Sequence, residues 1–330
     1  MALQTYATIT VDTEEEWDWH SGYPTRRPPS VRNISELPRF QELCDRFGAA
    51  VTYFVNHAVL ADSQARSVIQ QLARRPNVEI GFHIHPWNTP PLDPREAVPP
   101  RESFLHNLPW QLARAKLETV YTTFQDNGLR PISYRGGRYS TSAEIQNWLR
   151  DHGFIADCSI LPFTTWKDEG APDFRYRDFM PLRHAPRHPN ERGFWELPLS
   201  FGVNRTATRL WLAVLDRAEQ PPWCWLHSVG LLDRLRIVRK CWLNFEHPFG
   251  ERMLGFLRVL RQIGVPTVVW SVHSSSFRVG GNPYVPTQAA VEAVWKRIEE
   301  ALAEVARRPE EFTWATSAQV AQQLEHAACA

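Results

Sequence analysis

What most restricts the fold of this chain is a repeated alternation. Short apolar, β-branched segments are followed by longer segments of helical periodicity, about seven times over and without sequence repeats. Strand-like segments fall at residues 6–11, 49–56, 78–82, 131–134, 154–160, 193–200 and 266–272, and 312–315 closes the pattern. Helical patterns fall at 33–47, 65–73, 104–127, 142–153, 256–264 and 289–306. Gly48, Gly128 and Gly153 stand where helices stop, since glycine accepts the left-handed backbone of a helix end. Such alternation predicts an α/β protein with a parallel sheet curled into a distorted (β/α) barrel of about seven parallel strands, in one domain over 5–325. Chemistry in that architecture sits at the C-terminal ends of the strands, where Asp12, His83, His85, Arg135 and His273 all fall.

Composition excludes several classes. Hydrophobic residues make up 43% of the 330 and charged residues 22%, enough to bury a large core and too apolar for disorder. Lys and Arg number 37 against 36 Asp and Glu, which gives no electrostatic case for nucleic acid. The five cysteines form no CxxC pair and suit reduced thiols, and the N-terminus carries no basic, apolar and small-residue sequence of a signal peptide. A cytoplasmic protein is expected. No apolar run is long enough to span a bilayer.

His83 and His85 lie two apart on a strand end, so both imidazoles face one side while Ile84 turns away. That geometry suits a metal, and it also suits two histidines satisfied by backbone groups. The acidic run after 6–11 carries Asp12 and Glu14 on one face by the same period. One of these carboxylates could hold a metal while the other takes a proton; Glu15 and Glu16 read as a solvated acidic turn. Arg135 would keep a neighbouring carboxylate ionised, and Gly136 and Gly137 permit unusual backbone beside it. His273, at the end of an apolar strand, is a candidate acid, whereas Arg138 receives no firm role.

Trp87, Tyr139, Trp166 and Trp195 are candidates for stacking on a sugar ring. Glu196 reads as a substrate hydrogen-bond partner or a structural one. His20, His57, His106, His184, His188, His227 and His247 are assigned to structure. The segment near 205–245 breaks the alternation and reads as an inserted amphipathic helical piece. There Trp211, Trp223, Trp225 and several leucines interleave with Arg217, Arg234, Arg236 and Arg239, with Arg209 just before them. Packing over the barrel or at a dimer interface is its commoner use; peripheral membrane contact through 209–242 is the other.

Four runs, Thr10-Val-Asp-Thr-Glu14, Glu79-Ile-Gly-Phe-His-Ile-His-Pro-Trp87, Tyr134-Arg-Gly-Gly-Arg-Tyr139 and Ser271-Val-His-Ser274, fall in the order of polysaccharide deacetylase motifs. The chain resembles the NodB-type polysaccharide deacetylases, carbohydrate esterase family four in the broad sense, over nearly its whole length. The His-Ile-His-Pro-Trp run and the later Gly-Gly-Asn-Pro-Tyr284 look like the branch found in surface-polysaccharide gene clusters. The resemblance implies a distorted (β/α) barrel and metal-dependent hydrolysis of an N-acetyl or O-acetyl group on a sugar unit. It implies zinc, with cobalt, nickel or iron as alternatives, on Asp-His-His ligands. Residue by residue, Asp12 matches the general base, His83 and His85 the metal histidines, Arg135 the arginine that orients the base, and His273 the leaving-group acid. Two departures stand out: Thr13 replaces the family's second aspartate, its usual metal ligand, and the histidines are two rather than four residues apart. The metal carboxylate is therefore Asp12 or Glu14. Hydrolysis of a non-glycan amide and a degenerate glycan-binding role are the rival functions.

Overall fold

The computed structural model describes residues 4–17, 19, 22–26, 28–166, 169–189, 191–246 and 252–329. A nine-stranded sheet organises them. Its strands are β1 (Thr5–Thr13), β2 (Val51–Val55), β3 (Val78–Ile84), β4 (Ser133–Gly136), β5 (Ala156–Asp157), β6 (Leu182–His184), β7 (Phe194–Glu196), β8 (Thr267–His273) and β9 (Phe312–Trp314). They run in the order β8-β1-β2-β3-β4-β5-β7-β6, with β9 pairing the first residues of β1. The seven from β8 to β7 are mutually parallel, as the alternation predicts, and only β6 is antiparallel. β1 is buried at all but one of its positions and β2 throughout, which is why both are rich in apolar and β-branched residues: side chains on either face must meet a covering layer.

The sheet curls into a half-barrel whose ring is not completed by a strand ladder among the described residues. Irregular backbone crosses the gap. Leu199 N–H donates to the Ile160 carbonyl at 2.9 Å, Leu243 N–H to Ser200 at 2.9 Å, and Phe245 N–H to Ser271 of β8 at 3.1 Å. Residues 243–246 thereby run alongside β8 and end at the same mouth of the barrel.

Several boundaries differ from the periodicity for local reasons. The expected helix at 104–127 occupies only Trp110–Asp126, because Pro109 holds the preceding residue in extended backbone and 100–107 fold as two short 3₁₀ turns instead. The helix at 65–73 starts earlier, at Ser63, because Asp62 accepts from the N–H groups of Gln64 and Ala65 as an N-cap. A helix the periodicity misses, Ser317–Cys329, has an Ala/Gln-rich sequence with a thin apolar stripe. Its first turn donates inward, Ser317 N–H to Thr52 Oγ1 and Ala318 N–H to Glu79 Oε2, both at 2.9 Å.

The 205–245 segment is an insertion, as expected. Its stem is an antiparallel ribbon of Phe201–Val203 with Lys240–Trp242, and it carries helices Thr208–Ala218 and Ser228–Arg234. Val203, Leu215 and Val238 form a small core of its own, with Trp211, Leu212, Val229 and Leu232 packed against it. No described helix is long and apolar enough to cross a membrane.

Candidate active site

Parallel register assembles the site. Asp12 on β1 stands opposite His273 on β8, and His83 on β3 stands opposite Arg135 on β4. His83 and His85 face one side, their Nε2 atoms 3.2 Å apart. Glu14 Oε2 lies 3.3 Å from His83 Nε2 and 3.1 Å from His85 Nε2, and all three side chains are buried. His83 Nδ1 sits 2.7 Å from the Arg135 carbonyl, which can only accept, so Nδ1 donates there and Nε2 is the ring atom turned towards Glu14 and His85. His85 Nδ1 is held 2.8 Å from Glu15 Oε1, and Glu15 in turn accepts from Asn56 Nδ2 at 2.6 Å. Asn33 and Ser274 fix the backbone of Glu14.

Among the described residues, Glu14, His83 and His85 are the group whose ligand atoms converge as a metal requires. Atoms sharing one tetrahedral ion at about 2.1 Å stand roughly 3.4 Å apart, close to what these three present. Two imidazoles with their outer nitrogens engaged and one carboxylate form a donor set that fits zinc. Asp12 is outside this group. Of the two carboxylates that the sequence leaves open, Glu14 is the one that converges with the two histidines.

The electrostatics agree. Burial penalises the charge on Glu14, but His85, His273 and His83 outweigh it and hold the carboxyl well below its usual range. Glu15 is likewise lowered, its burial outweighed by His85. Burial also opposes charge on His85, yet Glu15 and Glu14 more than reverse this and raise its pKa to about 10. His85 is therefore protonated at neutral pH in the metal-free protein, and a cation must displace that proton.

Asp12 belongs to a second unit. Its Oδ1 accepts from Arg135 Nη1 at 2.9 Å, and Arg135 is anchored further by Thr10 Oγ1, the Cys158 carbonyl and the face of Phe54. Asp12 Oδ2 lies 3.9 Å from His273 Nε2. His273 Nδ1 is 2.7 Å from Glu246 Oε2, while Glu246 Oε1 accepts the His273 backbone N–H at 2.8 Å and the Ser276 hydroxyl. Burial alone would lower the pKa of His273, but Glu246, then Glu14 and Asp12, raise it to about 10. Sequence reading does not single out Glu246. Its signal was a short alternation, Leu243-Asn-Phe-Glu246, ending at a carboxylate as β1 ends near Asp12.

These groups line a cleft of about 540 Å³ walled by Trp17, Trp19, Tyr23, Tyr139 and Trp166. A larger, shallower groove of about 1050 Å³ between Leu37–Arg46 and Gln288–Ala306 is lined mainly by charged surface side chains and holds no such convergent set. Tyr139 and Trp166 stand nearly parallel with ring centres 6.0 Å apart.

Several expectations need correction. Trp87 is 2% exposed and stacks on His85, centroids 4.2 Å apart, so it packs behind a ligand and offers a sugar no free face. Trp195 is outside the cleft: its indole packs in a cluster with Ile155, Leu197 and Ala321 and donates to Glu325. Glu196 is engaged by Arg177 and His184. Glu15 is buried against His85 rather than solvated. Gly136 and Gly137 are needed for close approach rather than unusual dihedrals. A Cβ on Gly137 would lie 2.4 Å from His85 Cδ2, and one on Gly136 would lie 1.9 Å from the Ser140 carbonyl oxygen. The left-handed backbone falls instead on Arg138 and Tyr139, at φ 53° and 60°. His106 and His184 make structural contacts, and His20 and His247 lie outside the described residues.

No protein-family model and no curated protein matches the sequence. Solved structures match the fold. A Mycobacterium smegmatis protein assigned to the polysaccharide deacetylases aligns over 99% of this chain and 92% of its own, at 15% identity and a TM-score of 0.57. Puue allantoinase aligns over 96% and 88% respectively, at 14% identity and a TM-score of 0.52. The chain has the NodB-type fold that polysaccharide deacetylases share with this allantoinase.

Proposed function

We propose that this protein is a metal-dependent deacetylase that hydrolyses an N-acetyl or O-acetyl group on a sugar unit of a glycan or glycan precursor. One observation carries the reading: the Glu14, His83 and His85 group opens into the same cleft as Asp12, paired with buried Arg135, and as the ion pair of His273 with Glu246. A divalent cation on the triad, zinc first, with cobalt, nickel or iron also suited to imidazole and carboxylate, would polarise an acyl carbonyl and acidify water.

The protein's own groups supply the proton transfers. Asp12, oriented by its 2.9 Å hydrogen bond from Arg135, accepts a proton from the attacking water. His273 presents Nε2–H to the departing nitrogen, which cannot leave as an unprotonated amide anion. Glu246 keeps that imidazole charged and its ring oriented. Tyr139 and Trp166 offer aromatic faces on which a sugar ring can stack. Free thiols at Cys44, Cys158, Cys224, Cys241 and Cys329 support a cytoplasmic setting.

The test is metal content and acetate release across acetylated mono- and oligosaccharides, with ureides screened in parallel. The wild type is expected to bind one zinc and release acetate, and Glu14→Ala, His83→Ala and His85→Ala proteins to lose both. Full metal content and activity in the two histidine variants would sink the assignment. Turnover of ureides alone would replace the substrate class and leave the site standing.

A further inference from the structure

The insertion does more than cover the barrel. Its two helices bury one stripe each, Trp211, Leu212 and Leu215 on the first and Val229 and Leu232 on the second, against their shared core. Each also shows a second apolar stripe to solvent. Leu210 and Val214 lie one turn apart on the outer side of Thr208–Ala218, followed by exposed Arg217. Leu231 on the second helix and Leu235 just past its end do the same, 55% and 59% exposed. Between the helices, Trp223 and Trp225 stand 47% and 73% exposed. A helix apolar on both faces has a second partner to find.

Charge selects that partner. Residues 205–240 carry four more cations than carboxylates, although the whole chain is nearly neutral. Among the described residues no carboxylate pairs with Arg217, Arg234 or Arg236, which are exposed within or beside the apolar stripes. A two-fold contact between copies of this face would bring together two patches of the same net positive charge, which repel. Tryptophan and leucine interleaved with unpaired arginine instead complement the headgroup layer of an anionic bilayer, where indole rings settle at the interface and guanidinium groups meet phosphate.

We propose that the solvent face of 208–237 docks this protein on an anionic lipid surface. The stem of the same insertion ends at Trp242, which lines the cleft, so docking would hold the site near the bilayer. Delivery of a lipid-borne acetylated glycan to the site rests on the deacetylase reading; lipid docking itself does not.

The test is co-sedimentation of the full chain with vesicles of phosphatidylcholine alone and of phosphatidylcholine mixed with phosphatidylglycerol. Binding to the mixed vesicles is expected, weaker on the neutral ones and falling as salt rises. Replacing two arginines in Arg234→Glu/Arg236→Glu should weaken binding roughly thirtyfold or more, since each contributes about a factor of five at an anionic surface. Trp223→Ser/Trp225→Ser should weaken it too, and both variants should keep their circular dichroism and acetate release. The proposal is overturned if the wild type fails to pellet with mixed vesicles, or if neither pair of substitutions weakens pelleting. It is equally overturned if the face instead mediates a concentration-dependent dimer that the same substitutions abolish. Should a variant misfold, the wild-type comparison of the two vesicle types still decides.

Discussion

Replacing Glu246 with glutamine should move the alkaline limit of activity while leaving the fold and the metal in place. The rise of His273 from its ordinary 6.5 to about 10 corresponds to roughly 5 kcal/mol in favour of the protonated ring. Glu246 is the largest contributor to that rise, through both its charge and its 2.7 Å hydrogen bond. In the metal-loaded protein the charge of Glu14 is offset by the cation, so the share of Glu246 grows. Glutamine keeps the shape and removes the charge, and should bring His273 down by about 2 pH units or more. An acid must be protonated to act, so activity is lost as pH rises through its pKa; lowering that pKa brings the loss earlier. The measurement is kcat/KM for acetate release between pH 6 and 11. The alkaline limb of Glu246→Gln is expected about 2 pH units or more below that of the wild type, with unchanged zinc content. If both limbs fall within about half a pH unit of each other, His273 is not the acid or Glu246 does not set it.

Three further outcomes follow from the geometry. Gly137→Ala should place a methyl group against both the His85 ring and the Ile84 carbonyl oxygen, at an overpacking strain of about 3 kcal/mol or more. Weakened zinc binding in an otherwise folded protein is expected by chelator competition; unaltered affinity would mean the ring can move aside freely. Glu15→Gln removes the carboxylate behind His85 and should lower zinc affinity about 10- to 100-fold, since such partners fix the ligand's tautomer and basicity. In the metal-free protein His85 and His273 are both raised to about 10, so their contribution to stability is complete below 6.5 and lost as pH rises through 10. Melting temperature with chelator present should therefore fall from pH 7 to 10, and a flat profile would refute the assignment.

Much of the fold was legible because a parallel sheet covered on both faces demands long apolar runs separated by helices. The positions of Asp12, His83, His85, Arg135 and His273 followed from that alternation. The closing of the ring was not legible, because hydrogen bonds through 199–200 and 243–245 replace a strand ladder and leave no periodic trace. Glu246 escaped notice for that reason. The roles of Glu14 and Glu15 were blurred for another: β1 ends at Thr13, and beyond it the alternation of faces no longer holds, so both adjacent carboxylates reach His85, one at each ring nitrogen.

The sequence by itself determined which residues stand at strand ends and that two imidazoles share a face, since strand period and burial are local consequences of side-chain type. Only the tertiary structure decided how the acidic groups divide. Arg135 reaches across from β4 and draws Asp12 away from the histidines, while a segment returning from the insertion sets Glu246 behind His273. Those pairings join residues 123 and 27 positions apart, and no local pattern encodes a charge that arrives from so far along the chain.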